Sequence, residues 1–263
     1  MRDRLLHHAL YRKLCPFFDR TFIADSYSCR LGKGTHAAMN RFRSLAYKVS
    51  RNHTRTAWVL KCDIRKFFAS IDQRTLTDIL ARYIPDEDIL WLLSRVVGSF
   101  SSGISRCHLD TKIGLPLGNL TSQLLVNIYM NEFDQFVKHR LKAGYYIRYA
   151  DDFVFLSHER ERLAGILPLA EAFLREKLLL HLHPDKISLR TSASGVDFLG
   201  WVHFPDHRVL RTTTKRRMVR NCAINSENEN VVDSYLGFLK HGNARKLQTV
   251  IGERGPTGSF GAV

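Results

Sequence analysis

The chain is poor in the features that would cross-link it or seat it in a membrane. Its 263 residues include five cysteines, Cys15, Cys29, Cys62, Cys107 and Cys222. They form no C-x-x-C pair and are odd in number, so neither a disulfide framework nor a zinc knuckle is indicated. A reducing cytoplasm is the expected setting. No run approaches the ~20 continuous apolar residues of a membrane span, and Met1-Arg2-Asp3-Arg4 lacks the apolar centre of a signal peptide. No membrane partner is expected. Acidic residues are scarce as well, with 25 Asp and Glu against 40 Lys and Arg, a formal charge of +15. The deficit is uneven. Residues 1–60 hold twelve bases against only Asp3, Asp19 and Asp25, and a second basic cluster runs through Arg208, Arg211, Lys215, Arg216, Arg217 and Arg220. Such an excess predicts a polyanionic partner, nucleic acid first. A solvated charged face has the same composition, so the motifs must decide.

No internal repeat or low-complexity tract divides the chain, which reads as one fold with a weaker tail after about residue 212. The tail holds the loop-like Ser226-Glu-Asn-Glu-Asn230 and ends in Gly255-Pro-Thr-Gly-Ser259. The β-formers from Ala57 to Ile64 precede a helical spacing over Thr75–Tyr83, so a strand feeds a helix and Asp63 lies at the strand's carboxyl end. Asp72 begins that helix. Asp86 can cap a second helix running to about Val97, with Gly98 ending it. Apolar residues from Leu124 to Leu141 recur at helical intervals and predict a long amphipathic helix over Asn119–Lys142 that packs under a sheet. Tyr145–Tyr149 and Phe153–Leu156 are separated only by Ala150-Asp151-Asp152, the pattern of a β-hairpin with carboxylates at its turn. A helix is expected from Arg160 to Leu182, kinked or begun by Pro168, then one strand over Val196–Phe204 broken at Gly200. This order predicts an α+β fold, a sheet with helices on one face.

Two adjacent aspartates in an aromatic hairpin are hard to explain as packing, because an unpaired buried carboxylate costs several kcal/mol or neutralises itself. By itself the Asp151-Asp152 pair could simply turn the hairpin. Asp63, ending a neighbouring apolar strand, changes that reading: if the strands pair, Asp63 and Asp151 can face each other. An all-oxygen ligand set suits Mg²⁺, which keeps several waters and takes other ligands from substrate phosphates. Two such ions about 4 Å apart would activate a primer hydroxyl and stabilise leaving pyrophosphate, with Mn²⁺ as a substitute.

Tyr149-Ala-Asp-Asp152 resembles the Y-x-D-D box of reverse transcriptases, and Leu60–Ile71 (LKCDIRKFFASI) is similar to that family's first catalytic strand. Gly114–Gln123 (GLPLGNLTSQ) resembles its nucleotide- and template-binding loop and helix start, and Phe22–His36 resembles its triphosphate-gripping fingers segment. The four motifs stand in family order over about residues 2–204. The resemblance implies a polymerase right hand: fingers over 1–56, palm with inserted fingers helices over 57–212, and a short partial thumb with frayed tail over 213–263. Ser234–Asn243 resembles a thumb helix, and the fingers resemblance implies that more fingers sequence precedes Met1 in relatives.

By the same resemblance, Asp63 and Asp151 ligate both metals, Asp152 supports them as a weaker or outer ligand, and the Ile64 carbonyl completes one shell. Arg30 and Lys33 contact the triphosphate through charge-assisted bonds. Phe68 matches the steric gate that excludes a ribose 2′-hydroxyl. Leu117, Gly118 and Gln123 line the nucleotide pocket, Lys186 is positioned to protonate pyrophosphate, and Phe198-Leu199-Gly200 resembles the primer grip. Each has a plainer alternative: a diffuse RNA-binding surface for the cations, a core Phe beside Phe67, a surface lysine, a solvent-facing Gly bend.

Departures narrow the family. Leu117-Gly118 replaces Gln-Gly and Ser122-Gln123 replaces Ser-Pro, a combination resembling diversity-generating retroelement enzymes, as does Arg4-Leu-Leu-His-His8. That resemblance implies an RNA template, a DNA or RNA primer, dNTPs, a basic accessory protein and error-prone copying of template adenines. Losing an amide hydrogen bond at Leu117 relaxes discrimination by a few kcal/mol at most. Group II intron-like and defence-associated reverse transcriptases share the catalytic residues. RNA-dependent RNA polymerases usually place Gly before Asp-Asp, which Tyr149-Ala150 and Phe68 argue against. A catalytically idle RNA-binding remnant is the alternative from another class. The histidines, His7-His8 and His181-x-His183 among them, lack cysteines at zinc-site spacing.

Overall fold

The computed structural model describes residues 2–99, 112–116, 118–225 and 228–252. Cys107, Leu117, Ser226 and Gly255–Ser259 lie outside them. The centre is a four-stranded antiparallel sheet of β1 (Trp58–Asp63), β2 (Tyr146–Tyr149), β3 (Asp152–Ser157) and β4 (Ser188–Thr191), in the order β2-β3-β1-β4. Strand periodicity sorts its side chains. Leu60, Cys62, Tyr146, Phe153 and Phe155 enter the main core with α6 (Leu120–His139) and α7 (Arg160–Lys177). Val59, Ile147, Val154 and Leu156 point the other way, into a second core with Ala38, Phe42, Leu45 and Val49 of α2 (Thr35–Val49). Helices therefore cover both faces, not one, because β1 and β3 are apolar on both sides: their runs are nearly continuous rather than alternating.

The expected hairpin forms with Ala150-Asp151 as its turn. Ala150 is left-handed (φ 54°), as a tight two-residue connection demands. The long helix begins after Asn119 and ends at His139. Asp72 caps α4 (Gln73–Tyr83), accepting from the Thr75 amide at 2.8 Å, and Asp86 caps α5 (Glu87–Gly98), accepting from the Ile89 amide at 3.0 Å. Pro168 is accommodated within α7, which stops at Lys177 rather than Leu182. The residues beyond it pair with the end of β1 instead: Arg65 donates to His181 O and His183 donates to Asp63 O.

The expected strand over Val196–Phe204 is instead a hairpin. β5 (Val196–Phe198) turns at Leu199-Gly200 into β6 (Trp201–His203), and β7 (Arg208–Leu210) completes a separate three-stranded sheet. Leu199 and Gly200 both have positive φ, 53° and 85°, so the Gly read as a break is the second residue of a reversing turn. Phe198 packs on Phe42 with ring centroids 5.6 Å apart. Two helices with no predicted counterpart, α1 (Arg2–Asp19) and α2, lead the chain. After β7 come α8 (Thr212–Ile224), α9 (Glu229–Leu239) and α10 (Arg245–Gly252), which share a third core with Met39 and Trp201. Among the described residues no helix is long and apolar enough to cross a membrane.

Candidate active site

β1 and β3 end side by side, and their register makes Asp63 and Asp152 direct cross-strand partners. Sequence reasoning has Asp63 facing Asp151. The register is shifted by one because Asp151 belongs to the two-residue turn, where its carbonyl accepts from the Ile64 amide at 3.3 Å. Asp63 and Asp152 share the sheet face of Val59, Val154 and Leu156. Asp63 and Asp152 thus stand together at one end of that face, with Asp151 in the adjoining turn near enough to feel both charges.

Their charges are only partly offset. Burial pushes the Asp151 carboxyl up to about 6, with the Asp63 and Asp152 charges adding to the rise. Burial also raises Asp152, against the pull of Lys61, whose Nζ lies 3.3 Å from Asp152 Oδ1. Beyond that ion pair, Asp152 Oδ1 is a buried oxygen without a hydrogen-bond partner. Lys186 comes from the 3-10 turn Pro184–Lys186, carried to the site by the pairing of residues 181–183 with the end of β1. Its ammonium donates to both Asp63 oxygens, at 2.9 and 3.0 Å, and that bond holds Lys186 above its ordinary value. Three carboxylates against two lysines leave a net negative site.

The donor set fits a hard divalent cation: oxygen ligands only, and an Asp151 carboxyl whose ionisation burial and its neighbours resist. Among the described residues no three His, Cys, Asp or Glu side chains converge into a metal cage. An ion here would complete its shell with water or substrate oxygens, which is the habit of Mg²⁺.

The remaining predicted residues surround this centre unevenly. Phe68, in the short helix α3 (Phe67–Ser70), is half-buried, meets Phe67 edge-on at 5.5 Å and accepts a bond from the Leu115 amide through its carbonyl. Gly114 donates to Ile71 O at 2.8 Å and accepts from Gln73 at 2.9 Å, so the loop entering α6 is tied beside Phe68. Gly118, at φ 91°, is exposed before Asn119, and Gln123 is half-buried in the first turn of α6. Arg30 is a clamp: its guanidinium bonds Asp19, Ile23 O and Ser26 O, and its side chain is 8% exposed. Lys33 reaches Ala24 O at 2.8 Å and lies over the Tyr27 ring. Of the two cations expected to meet phosphate, Lys33 is the less committed.

Three functional features escape sequence reasoning. In sequence Lys61 is one residue of an apolar strand, yet its ammonium lies 3.3 Å from Asp152 Oδ1 and offsets that charge. Arg148, preceding the Y-x-D-D box, is fully buried on Asp134 at 2.7 Å. Asn127, Asn131 and Asp134 are buried polar residues of α6. Their i, i+4, i+7 spacing inside an apolar helix is a legible sign of an internal polar stripe.

The reverse transcriptase (RNA-dependent DNA polymerase) family profile matches residues 1–203. Protein YkfC of Escherichia coli is 26% identical over 250 residues, covering 82% of this chain and 62% of YkfC. The group II intron-encoded protein LtrA of Lactococcus lactis is 23% identical over 277 residues, covering 82% of this chain and 44% of LtrA. The chain therefore spans less than two thirds of these relatives. Among solved structures, telomerase from Candida albicans, in complex with a fragment of telomeric RNA, aligns with a TM-score of 0.56 at 13% identity, covering 95% of this chain and 47% of that one. Apo telomerase from Candida tropicalis also gives 0.56, at 9% identity, covering 80% and 40%. At such identities the likeness is one of fold, the polymerase right hand. With the four motifs in order and the profile spanning most of its length, this chain belongs to the reverse transcriptase family.

Proposed function

We propose that this chain is the fingers–palm body of an RNA-directed DNA polymerase, extending a primer 3′-hydroxyl with dNTPs on an RNA template. The carrying observation is the carboxylate cluster: Asp63 and Asp152 in register, with Asp151 in the adjoining turn and strained toward its neutral form by burial and by their charges. Asp63 and Asp151 would hold Mg²⁺, which supplies activation of the primer hydroxyl and neutralisation of leaving pyrophosphate when bound. Lys61 keeps Asp152 paired and so leaves it an outer ligand. Phe68 stands next to the tied loop of Gly114-Leu115, where its ring can limit space at the sugar of an incoming nucleotide. Lys186 is the candidate proton donor to pyrophosphate. Its bond to Asp63 tightens its hold on the proton, so donation requires that contact to loosen.

Leu117 and the Ser122-Gln123 pair favour an error-prone enzyme of the diversity-generating type. The likeness to LtrA favours a second reading, an intron-type reverse transcriptase. Purified protein on a primed RNA template with Mg²⁺ and dNTPs, beside Asp151→Asn and a ribonucleotide control, tests the activity. Metal-dependent DNA synthesis lost in Asp151→Asn supports it. A folded protein that binds RNA without extending the primer refutes it. Misincorporation concentrated at template adenines separates the first lineage from the second.

A further inference from the structure

Arg148 is the largest charged group in the interior, 0% exposed, and its bonds exceed what a counter-ion pair requires. Nε and Nη2 grip Asp134 at 2.7–3.0 Å, which satisfies the charge. Nη2 continues to Ser26 Oγ at 3.1 Å, while Nη1 reaches Asn127 Oδ1 and the carbonyl of Ala150, each at 3.2 Å. Ala150 is the left-handed residue that turns the chain into Asp151, a conformation an alanine adopts reluctantly without outside support. The Arg148 backbone faces the other way. Its amide donates to Asp25 O and its carbonyl accepts from the Tyr27 amide, both at 3.0 Å, so the fingers segment caps the open edge of β2. Asn127 adds a bond to Ser28 O at 2.9 Å. One residue thus joins the carboxylate turn, α6 and the fingers.

We propose that Arg148 is a positioning residue: anchored on Asp134, it holds the Ala150 carbonyl, and with it the turn presenting Asp151, while locking fingers residues Asp25–Tyr27 to the same strand. It touches no reacting atom. Its planar fork is what permits this, since five donors in fixed directions can serve Asp134, Ser26, Asn127 and Ala150 together, whereas a lysine offers one nitrogen. A buried ion pair alone would be replaceable by an apolar pair without loss. The reach to Ala150 would not.

The activity arm of the test rests on the polymerase reading, and the structural arm does not. The double variant Arg148→Met with Asp134→Leu removes both charges and keeps volume, and Arg148→Lys keeps the charge without the fork. Hydrogen exchange by mass spectrometry should quicken at least tenfold across residues 146–152 and 23–28 in a folded variant, with α7 unchanged. Primer extension should lose at least a hundredfold in kcat, with primer–template affinity within threefold of wild type. Unchanged exchange in both segments, faster exchange with wild-type kcat, or failure of both variants to fold overturns the proposal and leaves Arg148 a stability residue. A wild type that never extends primers refutes the polymerase reading, and exchange still decides the role of Arg148.

Discussion

Removing the Asp151 charge should stabilise the metal-free protein while abolishing its proposed activity. Folding carries this carboxyl from its ordinary 3.8 up to about 6. The unfolded chain therefore binds fewer protons than the folded one between those values, so stability falls as pH rises through that window and levels off above it. The full shift corresponds to about 3 kcal/mol at 1.36 kcal/mol per unit. Asp151 keeps some solvent contact, and screening reduces this to about 1–2 kcal/mol. Asp151→Asn retains the shape without the charge, so at pH 8 in EDTA its Tm should exceed that of wild type by roughly 2–8 °C for a chain of this size. The gap should shrink toward pH 4.5, where wild-type Asp151 is protonated in the fold. Millimolar Mg²⁺ should close it from the wild-type side, because only the wild type gains from binding the ion. Thermal melts at the two pH values, with and without Mg²⁺, decide the matter. A variant no more stable than wild type at pH 8, or a gap independent of pH, refutes the reasoning that these carboxylates oppose one another for want of a cation.

Phe68→Val should admit ribonucleotides: incorporation of rNTPs relative to dNTPs rises at least tenfold in primer extension, while thermal stability falls by about 1–2 kcal/mol for the lost half-buried ring. His203 is buried against Phe42, bonded to Phe198 O, and pushed down to about 4 by burial. Its neutral form is the folded one, so protein stability is intact above pH 6.5 and falls by up to about 3 kcal/mol as pH drops to 4 and below. His203→Phe should flatten that part of the denaturation-versus-pH profile. Asp72→Ala removes the cap of α4 and should cost about 1 kcal/mol in urea unfolding without altering nucleotide selectivity.

Much of the fold was legible because its signals are local. The caps Asp72 and Asp86, the amphipathic run of α6 and the aromatic hairpin around Asp151 each follow from the periodicity of neighbouring residues. The helix α1 escaped because its apolar positions, Leu10, Leu14 and Phe18, are sparse among charges and its Pro16 reads as a breaker. The hairpin over Val196–His203 resembles one strand in sequence because Val196, Phe198, Trp201 and Val202 are strand-formers on both sides of Leu199-Gly200, and only the left-handed conformation of those two residues makes the turn. Arg30 was legible as a cation but not as a clamp, since its anchor Asp19 is eleven residues away along the chain.

The sequence by itself determined which chemistry is on offer: three aspartates at the ends of β-forming runs, basic residues around them, and four motifs in the order of one family. The tertiary structure alone decided how those groups are shared out. Cross-strand register gave Asp63 the partner Asp152 and put Asp151 in the turn. A segment from much further along the chain delivered Lys186 to Asp63, 123 positions earlier. Asp134 met Arg148 only because α6 packs beneath β2. Register and packing depend on which distant surfaces meet, and residue type and spacing along the chain cannot fix that.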